Sequence, residues 1–114
     1  MVVDLIARMA SPDLRESWRR TTESLRDARS HLSEAAEDIC ADEIAEFEDY
    51  LSHNELELAL DSLEAAVFKS PCETLRILEL LIAAADSMGL GEHAARYLAE
   101  IERARGGMGH PAKK

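Results

Sequence analysis

Apolar residues recur every three or four positions along most of this 114-residue chain, which restricts its fold more than any other feature. This interval places side chains on one face of an α-helix, whereas a half-buried strand alternates at every second residue. Residues that favour strands are few: valine occurs only at positions 2, 3 and 67, and alanine and leucine supply most of the apolar content. The sequence therefore predicts an all-α protein.

Two Ser-Pro pairs and one glycine indicate where individual helices begin and end. Ser11-Pro12 and Ser70-Pro71 each combine a serine cap with proline at the first helical position. Gly89, followed by a leucine, is typical of a helix C-terminus. Because the connections are short, neighbouring helices are expected to run antiparallel. The predicted fold is a compact antiparallel bundle of four to five helices. Helical-hairpin repeats are the alternative, but no period of about 34 residues is present.

The same spacing predicts which residues face the core. The first helix is expected to bury Leu14, Trp18, Thr22, Leu25, Ala28 and Leu32. The fourth helix is expected to be central and to bury Leu75, Leu78, Leu81, Ile82 and Ala85. The fifth, over about residues 91–105, is expected to use Ala94, Leu98, Ile101 and Ala104. One domain is predicted over residues 1–105, followed by a flexible tail over residues 106–114.

Several features indicate the compartment. The first ten residues are mostly apolar, but Asp4 and Arg8 interrupt them, unlike the apolar centre of a signal peptide. No apolar run approaches the roughly 20 residues that span a bilayer, so no membrane association is expected. Cys40 and Cys72 fall on predicted helices, where reduced thiols are expected and a disulfide is the alternative. The prediction is a cytoplasmic protein.

Negative charge is concentrated in one third of the chain. Twelve acidic residues and no lysine or arginine lie between Ser30 and Phe68, and the net charge of the chain is −10. Such a surface repels the phosphates of nucleic acids. It also favours a cationic partner. The sequence therefore predicts a binding surface for a basic partner, and a merely well-solvated helical face is the alternative.

Acidic residues within this segment follow a helical interval. A carboxylate ridge is predicted on one helix from Glu34, Asp38, Asp42, Glu46 and Asp49, whose spacings are four, four, four and three. The apolar stripe of the same helix is Ala36, Cys40, Ile44, Phe47 and Leu51, with Tyr50 on its flank. Like charges at these spacings repel each other. A cationic partner would relieve that repulsion.

No pattern of residues indicates catalysis or a bound metal or cofactor. His31, His53 and His93 lack the glutamate three residues earlier that di-metal carboxylate bundles use. No glycine precedes Gly89, which excludes a calcium-binding loop from the acidic segment. Cys72 has no histidine near it in sequence. We therefore expect no catalytic residues, no cofactor and no metal. The alternative is an enzyme or metal protein whose site the sequence hides.

Residues 51–63, which read LSHNELELALDSL, resemble a short helix-turn-helix signature of Maf-type immunity proteins from bacterial polymorphic toxin systems. That signature runs apolar, polar, His, small, Glu, apolar, small, and then Leu-Ala-Leu-acid. The resemblance implies a cytoplasmic antidote that binds a cognate toxin and blocks it. Many such toxins attack nucleic acids and present a cationic groove to phosphate, which an acidic helical surface would occupy as a phosphate mimic.

This interpretation assigns the partner-binding residues. The ridge contributes Asp38, Asp42, Glu46 and Asp49, an aromatic anchor is Tyr50, and a second patch consists of Glu55, Glu57 and Asp61. The structural alternative is that residues 53–57 form only a capped turn. The functional alternative is a self-association module or homodimer. In that case the acidic helix of one copy meets the arginine-rich face of another, formed by Arg15, Arg19, Arg26 and Arg29.

Overall fold

The computed structural model describes residues 12–69 and 75–109, with side chains up to residue 105. Within these residues there are six helices and no strand: α1 (Pro12–Ser30), α2 (Glu34–Ile39), α3 (Ala41–Ser52), α4 (Leu56–Lys69), α5 (Leu75–Ser87) and α6 (Gly91–Gly109). The all-α prediction is confirmed. Predictions that concern Ser11, the Ser70-Pro71 cap, Cys72 and residues 110–114 lie outside the described residues.

One core joins all the described helices. α5 packs on α1 and α6, α3 packs on α4, and smaller contacts connect α4 to α1 and α5. The buried side chains of α5 are Ile77, Leu78, Leu80, Leu81, Ala84 and Ala85. Burial over so much of its circumference agrees with the expected central helix. No helix among the described residues is both long and apolar enough to cross a bilayer.

The acidic segment forms two helices rather than the single one predicted, which explains why the bundle has more than four to five helices. At Cys40 the backbone leaves helical geometry, with φ −111° and ψ 29°. The Cys40 thiol donates a hydrogen bond to the carbonyl oxygen of Ala66 on α4 at 3.2 Å. The apolar stripe nevertheless remains buried across the break, from Ala36 to Leu51. The junction is therefore anchored in the core by its own side chain.

The last helix presents a different face to the core from the one predicted. Tyr97 is fully buried, whereas the predicted core residue Leu98 is 50% exposed. Adjacent residues on a helix lie about 100° apart, so burial of Tyr97 turns Leu98 towards solvent. Tyr97 occupies the buried position because its ring buries more surface than the Leu98 side chain would. Its hydroxyl also donates a hydrogen bond to the Glu64 carboxylate. The predicted burial of Leu98 is wrong.

Four further expectations about individual helices are corrected. Leu14 and Leu75, near the beginnings of α1 and α5, are exposed rather than buried. Ala104 is exposed as well. The first turns of a helix have fewer neighbouring elements to cover them, which accounts for the two leucines. The last helix also continues past Gly106-Gly107, the predicted stop, to Gly109. Glycine lowers helix stability without preventing the helical conformation.

Candidate functional site

A serine cap fixes where the acidic segment becomes helical. Ser33 adopts an extended conformation, and its hydroxyl oxygen accepts a hydrogen bond from the backbone amide of Ala36 at 3.0 Å. This bond satisfies one of the free amides at the beginning of α2. It also sets the register that buries Ala36 and leaves Asp38 exposed. Local sequence therefore determines which acids face solvent.

The carboxylate ridge is divided between two helices. Asp42, Glu46 and Asp49 are exposed on α3, and their spacing places them on one face, opposite the buried apolar stripe. Asp38 is exposed on α2, on the other side of the break at Cys40. The prediction of one continuous helix for the ridge is wrong, although all five of its carboxylates, including Glu34 at the beginning of α2, are accessible. Its longest uninterrupted part is the α3 face.

Arginines of α1 neutralise the acids on one flank of the ridge. Arg29 lies 2.7 Å from Glu37 of α2 and 3.7 Å from Glu48 of α3. Arg26 lies 3.7 Å from the other carboxylate oxygen of Glu48. Local spacing gives no indication of these pairs, because the partners belong to separate helices. Glu37 and Glu48 are therefore neutralised by contacts within the chain.

A lysine of α4 neutralises the other flank. Lys69 donates a hydrogen bond to Glu43 at 3.1 Å. The pKa of Glu43 is lowered from its ordinary value, first by a hydrogen bond from its own backbone amide and then by Lys69. The pKa of Lys69 is raised chiefly by the same hydrogen bond. Both charges are thus favoured in the folded state, and Glu43 is not a free carboxylate of the surface.

Half of the acidic segment has no such partner. Six of its twelve carboxylates have no cation within 4.0 Å among the described residues: Glu34, Asp38, Asp42, Glu46, Glu55 and Glu57. Four of them, Glu34, Asp38, Asp42 and Glu46, belong to the predicted ridge and are exposed on α2 and α3. The unneutralised charge of α2 and α3 is therefore on their solvent side, whereas Glu37, Glu48 and Glu43 are neutralised at the contacts with α1 and α4.

Tyr50, the predicted anchor, is half-buried. It packs against the core while part of its surface remains accessible on the flank of α3. Within the described part of the chain its hydroxyl makes no hydrogen bond. An aromatic ring held in place by the core with a free polar end suits contact with a partner.

The second patch does not act as three independent acids. Asp61 is paired with His93 of α6, whose Nε2 lies 2.8 Å from the aspartate Oδ1. The Glu57 carboxylate is within 4.8 Å of both groups. Glu55 lies in the turn before α4, beside Asn54, whose φ is 56°. Sequence reasoning missed His93 because it is 32 residues from Asp61 and on a different helix.

His53 closes α3, as its position at the predicted turn suggested. Its Nδ1 lies 2.8 Å from the carbonyl oxygen of Asp49, which can only accept, and 3.8 Å from the Asp49 carboxylate. These contacts raise the pKa of His53, with the backbone hydrogen bond as the first cause. The negative charge of Asp49 is therefore partly neutralised whenever His53 is protonated.

We expect NMR titration of the His53 imidazole to give a midpoint above its ordinary pKa of 6.5. A raised folded-state pKa means that protonated His53 stabilises the fold at low pH, and this contribution disappears as pH rises through the folded pKa. Urea unfolding of wild type and His53→Gln on both sides of that midpoint measures the difference. A midpoint at or below 6.5, or a larger His53 contribution at high pH, contradicts this assignment.

No protein-family model matches the chain, and no curated protein or solved structure is significantly similar to it.

Proposed function

We propose that this chain is a cytoplasmic binding protein, not an enzyme, whose exposed carboxylates engage a basic protein. In the form that the resemblance to Maf-type immunity proteins implies, the partner is a cognate toxin of the nuclease type, and binding neutralises it. Asp38, Asp42, Glu46 and Asp49 form the acidic contact, Tyr50 is the aromatic anchor, and Glu55, Glu57 and Asp61 flank it.

One observation carries this proposal: the segregation of charge within the acidic segment. Carboxylates that face α1 and α4 have cations within 4 Å, whereas Asp38, Asp42 and Glu46 have none among the described residues. Repulsion among unpaired carboxylates disfavours the free protein and is relieved by a cationic surface. The same charges increase the rate of encounter with such a surface.

The self-association alternative has less support because the arginine face is already occupied. Arg19 pairs with Glu16 and Glu23 along α1. Arg26 and Arg29 pair with acids of the same chain. Of the four arginines in that face, only Arg15 lacks an ion pair among the described residues. A second copy would have to replace existing pairs, which offers little net gain in free energy.

The test compares two triple variants with equal net charge. The ridge variant is Asp38→Asn, Asp42→Asn, Glu46→Gln, and the control variant is Asp86→Asn, Glu92→Gln, Glu102→Gln. All six acids are exposed and without ion pairs among the described residues, and each set contains one acid from the first turn of a helix. Each triple removes three negative charges and changes the net charge from −10 to −7.

Wild type, immobilised, is first used to capture the partner from lysate of its own source, and the recovered protein is purified. We then expect association of that protein with the ridge variant to be slower by about tenfold or more at low salt. The control variant should retain the wild-type rate, and wild type should inhibit the nuclease activity of the partner. Equal loss in both variants would indicate net charge alone and overturn the assigned surface. Recovery of only this chain would favour self-association.

A further inference from the structure

Three potential metal ligands meet where α4 and α6 come together. Glu57 and Asp61 are one turn apart on α4, and His93 reaches them from the first turns of α6. One ligand atom of each lies within 4.8 Å of the other two. Glu57 has no ion pair or side-chain hydrogen bond among the described residues, although it faces a second carboxylate. This is a nitrogen-containing ligand set, not only a group of acids.

The histidine of this set is held in place by its surroundings. Its side chain is 15% exposed. Its ring meets the edge of the Tyr97 ring, with centroids 6.4 Å apart and planes at 67°. Tyr97 is in turn fixed by a 2.6 Å hydrogen bond to Glu64. Support of this kind orients a ligand before any metal arrives, which reduces the entropy cost of binding.

Distances in the cluster suit a small divalent transition metal. Bonds of about 2.1 Å from zinc to nitrogen or oxygen place two tetrahedral donors about 3.4 Å apart. Reaching that spacing requires Asp61 and His93, now 2.8 Å apart, to separate slightly, and the Glu57 carboxylate is already within 4.8 Å of both. Both carboxylates are exposed and on rotatable side chains, so small torsional changes suffice. Two carboxylates and neutral imidazole also match the charge of a divalent cation.

A neighbouring arginine is paired with a different carboxylate. Arg96 lies on α6, but its guanidinium is 2.8 Å from Glu64, one turn beyond Asp61 on α4. The hydrogen bond to Glu64 is also the first cause of the raised pKa of Arg96. Glu64 thus satisfies the arginine, and the Glu57 and Asp61 carboxylates remain available to His93 and to a metal.

An apolar cleft adjoins the cluster through Glu57. The cleft has a volume of about 390 Å³ and is formed by α1, by the beginning of α4 with the turn before it, and by the end of α5 with the turn after it. Apolar members of its lining are Leu14, Trp18, Leu56, Met88 and Leu90. Glu57 belongs both to this lining and to the ligand set. A metal bound by three protein ligands keeps a coordination position for water or for a ligand atom.

We propose that Glu57, Asp61 and His93 bind a divalent transition metal of the zinc class at the rim of this cleft. The site shares Glu57 and Asp61 with the flank of the proposed partner contact, but it uses none of the acids of α2 and α3. Nitrogen and carboxylate ligands favour zinc or cobalt over calcium and magnesium, which prefer oxygen alone.

The test is calorimetric titration of the tag-free protein with Zn²⁺ alone, repeated for single variants. We expect one saturable site in wild type and an affinity lower by at least about tenfold in His93→Gln and in Glu57→Gln, since loss of supporting contacts alone has effects of this size. His53→Gln is the matched control, because His53 also lies near an aspartate, Asp49, on an exposed helical surface. It should bind Zn²⁺ as wild type does.

Glu57→Gln is expected to remain folded, because Glu57 is exposed and has no partner among the described residues. Loss of Zn²⁺ binding in this variant would therefore not be due to unfolding. Cobalt provides a second readout: visible absorption typical of four-coordinate Co²⁺ should occur in wild type and disappear in both site variants. Absence of saturable Zn²⁺ binding, or unchanged binding in the site variants, overturns the proposal. Toxin capture is not part of this test, so its failure and failure of the proposed function are distinguishable.

Discussion

Replacing Phe47 by alanine is expected to lower the free energy of unfolding by about 3–5 kcal/mol, the usual cost of truncating a buried aromatic residue. Phe47 is fully buried on the core side of α3. Its loss leaves a cavity among side chains of the bundle that close only partially around it. A domain of this size has a total stability of about 5–15 kcal/mol. The variant should therefore be close to the limit of folding.

Urea unfolding followed by circular dichroism measures this effect, with Leu58→Ala as the matched control. Leu58 is an exposed leucine of α4, so its truncation should change the free energy of unfolding by no more than about 0.5 kcal/mol. Similar losses in the two variants would contradict the assignment of α3 to the core. Because Phe47 is opposite the ridge, residual folded protein should still bind a basic partner.

The second large effect is expected at Tyr97, where alanine should cost about 3–5 kcal/mol. Tyr97 is fully buried, and its ring lies 6.2 Å from that of Phe68. Tyr97→Phe separates the hydroxyl from the ring: it removes the hydrogen bond to Glu64 and should cost about 1–2 kcal/mol. Leu98→Ala is the control, because the adjacent leucine is exposed and should contribute about 0.5 kcal/mol or less.

The tyrosine hydroxyl also predicts how stability depends on alkaline pH. Burial, and then the hydrogen bond to Glu64, raise the pKa of Tyr97 above its ordinary value of 10.0. Stability from neutral Tyr97 is fully present below pH 10 and is lost as pH rises above it. Urea unfolding between pH 9 and 11 should show this loss in wild type and less of it in Tyr97→Phe. If Leu98→Ala lost more free energy of unfolding than Tyr97→Ala, the burial of Tyr97 would be contradicted and the core-facing side of α6 that periodicity alone predicts would be favoured.

The sequence predicted those parts of the fold that depend on neighbouring residues. Helix boundaries such as Pro12 and the turn at His53 follow from caps and turn residues, and the buried stripe from Ala36 to Leu51 follows from spacing. The break at Cys40 did not follow, because it depends on a hydrogen bond to Ala66, 26 residues away. Helix propensity depends on neighbouring residues and carries no information about a contact between residues so far apart in sequence.

The same limit applies to the candidate sites. The exposed acids of the ridge could be identified from composition and interval. Which acids are neutralised could not, since Arg29 and Lys69 meet their carboxylates across helix contacts. The cluster at His93 was hidden for the same reason, because its carboxylates come from α4 and its imidazole from α6. Tyr97 was missed because its neighbour Leu98 fitted the apolar interval equally well.

Arg29 touches both halves of the divided acidic segment, Glu37 on α2 and Glu48 on α3. Its side chain is only 26% exposed, whereas the outer carboxylates have solvent around them. Dissolved ions screen exposed charges strongly and partly buried ones much less. Added salt should therefore separate two properties of the surface: its attraction for a distant partner fades, while the relative placement of its two helices persists. A partner that has already docked would find the same shape in dilute and concentrated buffer.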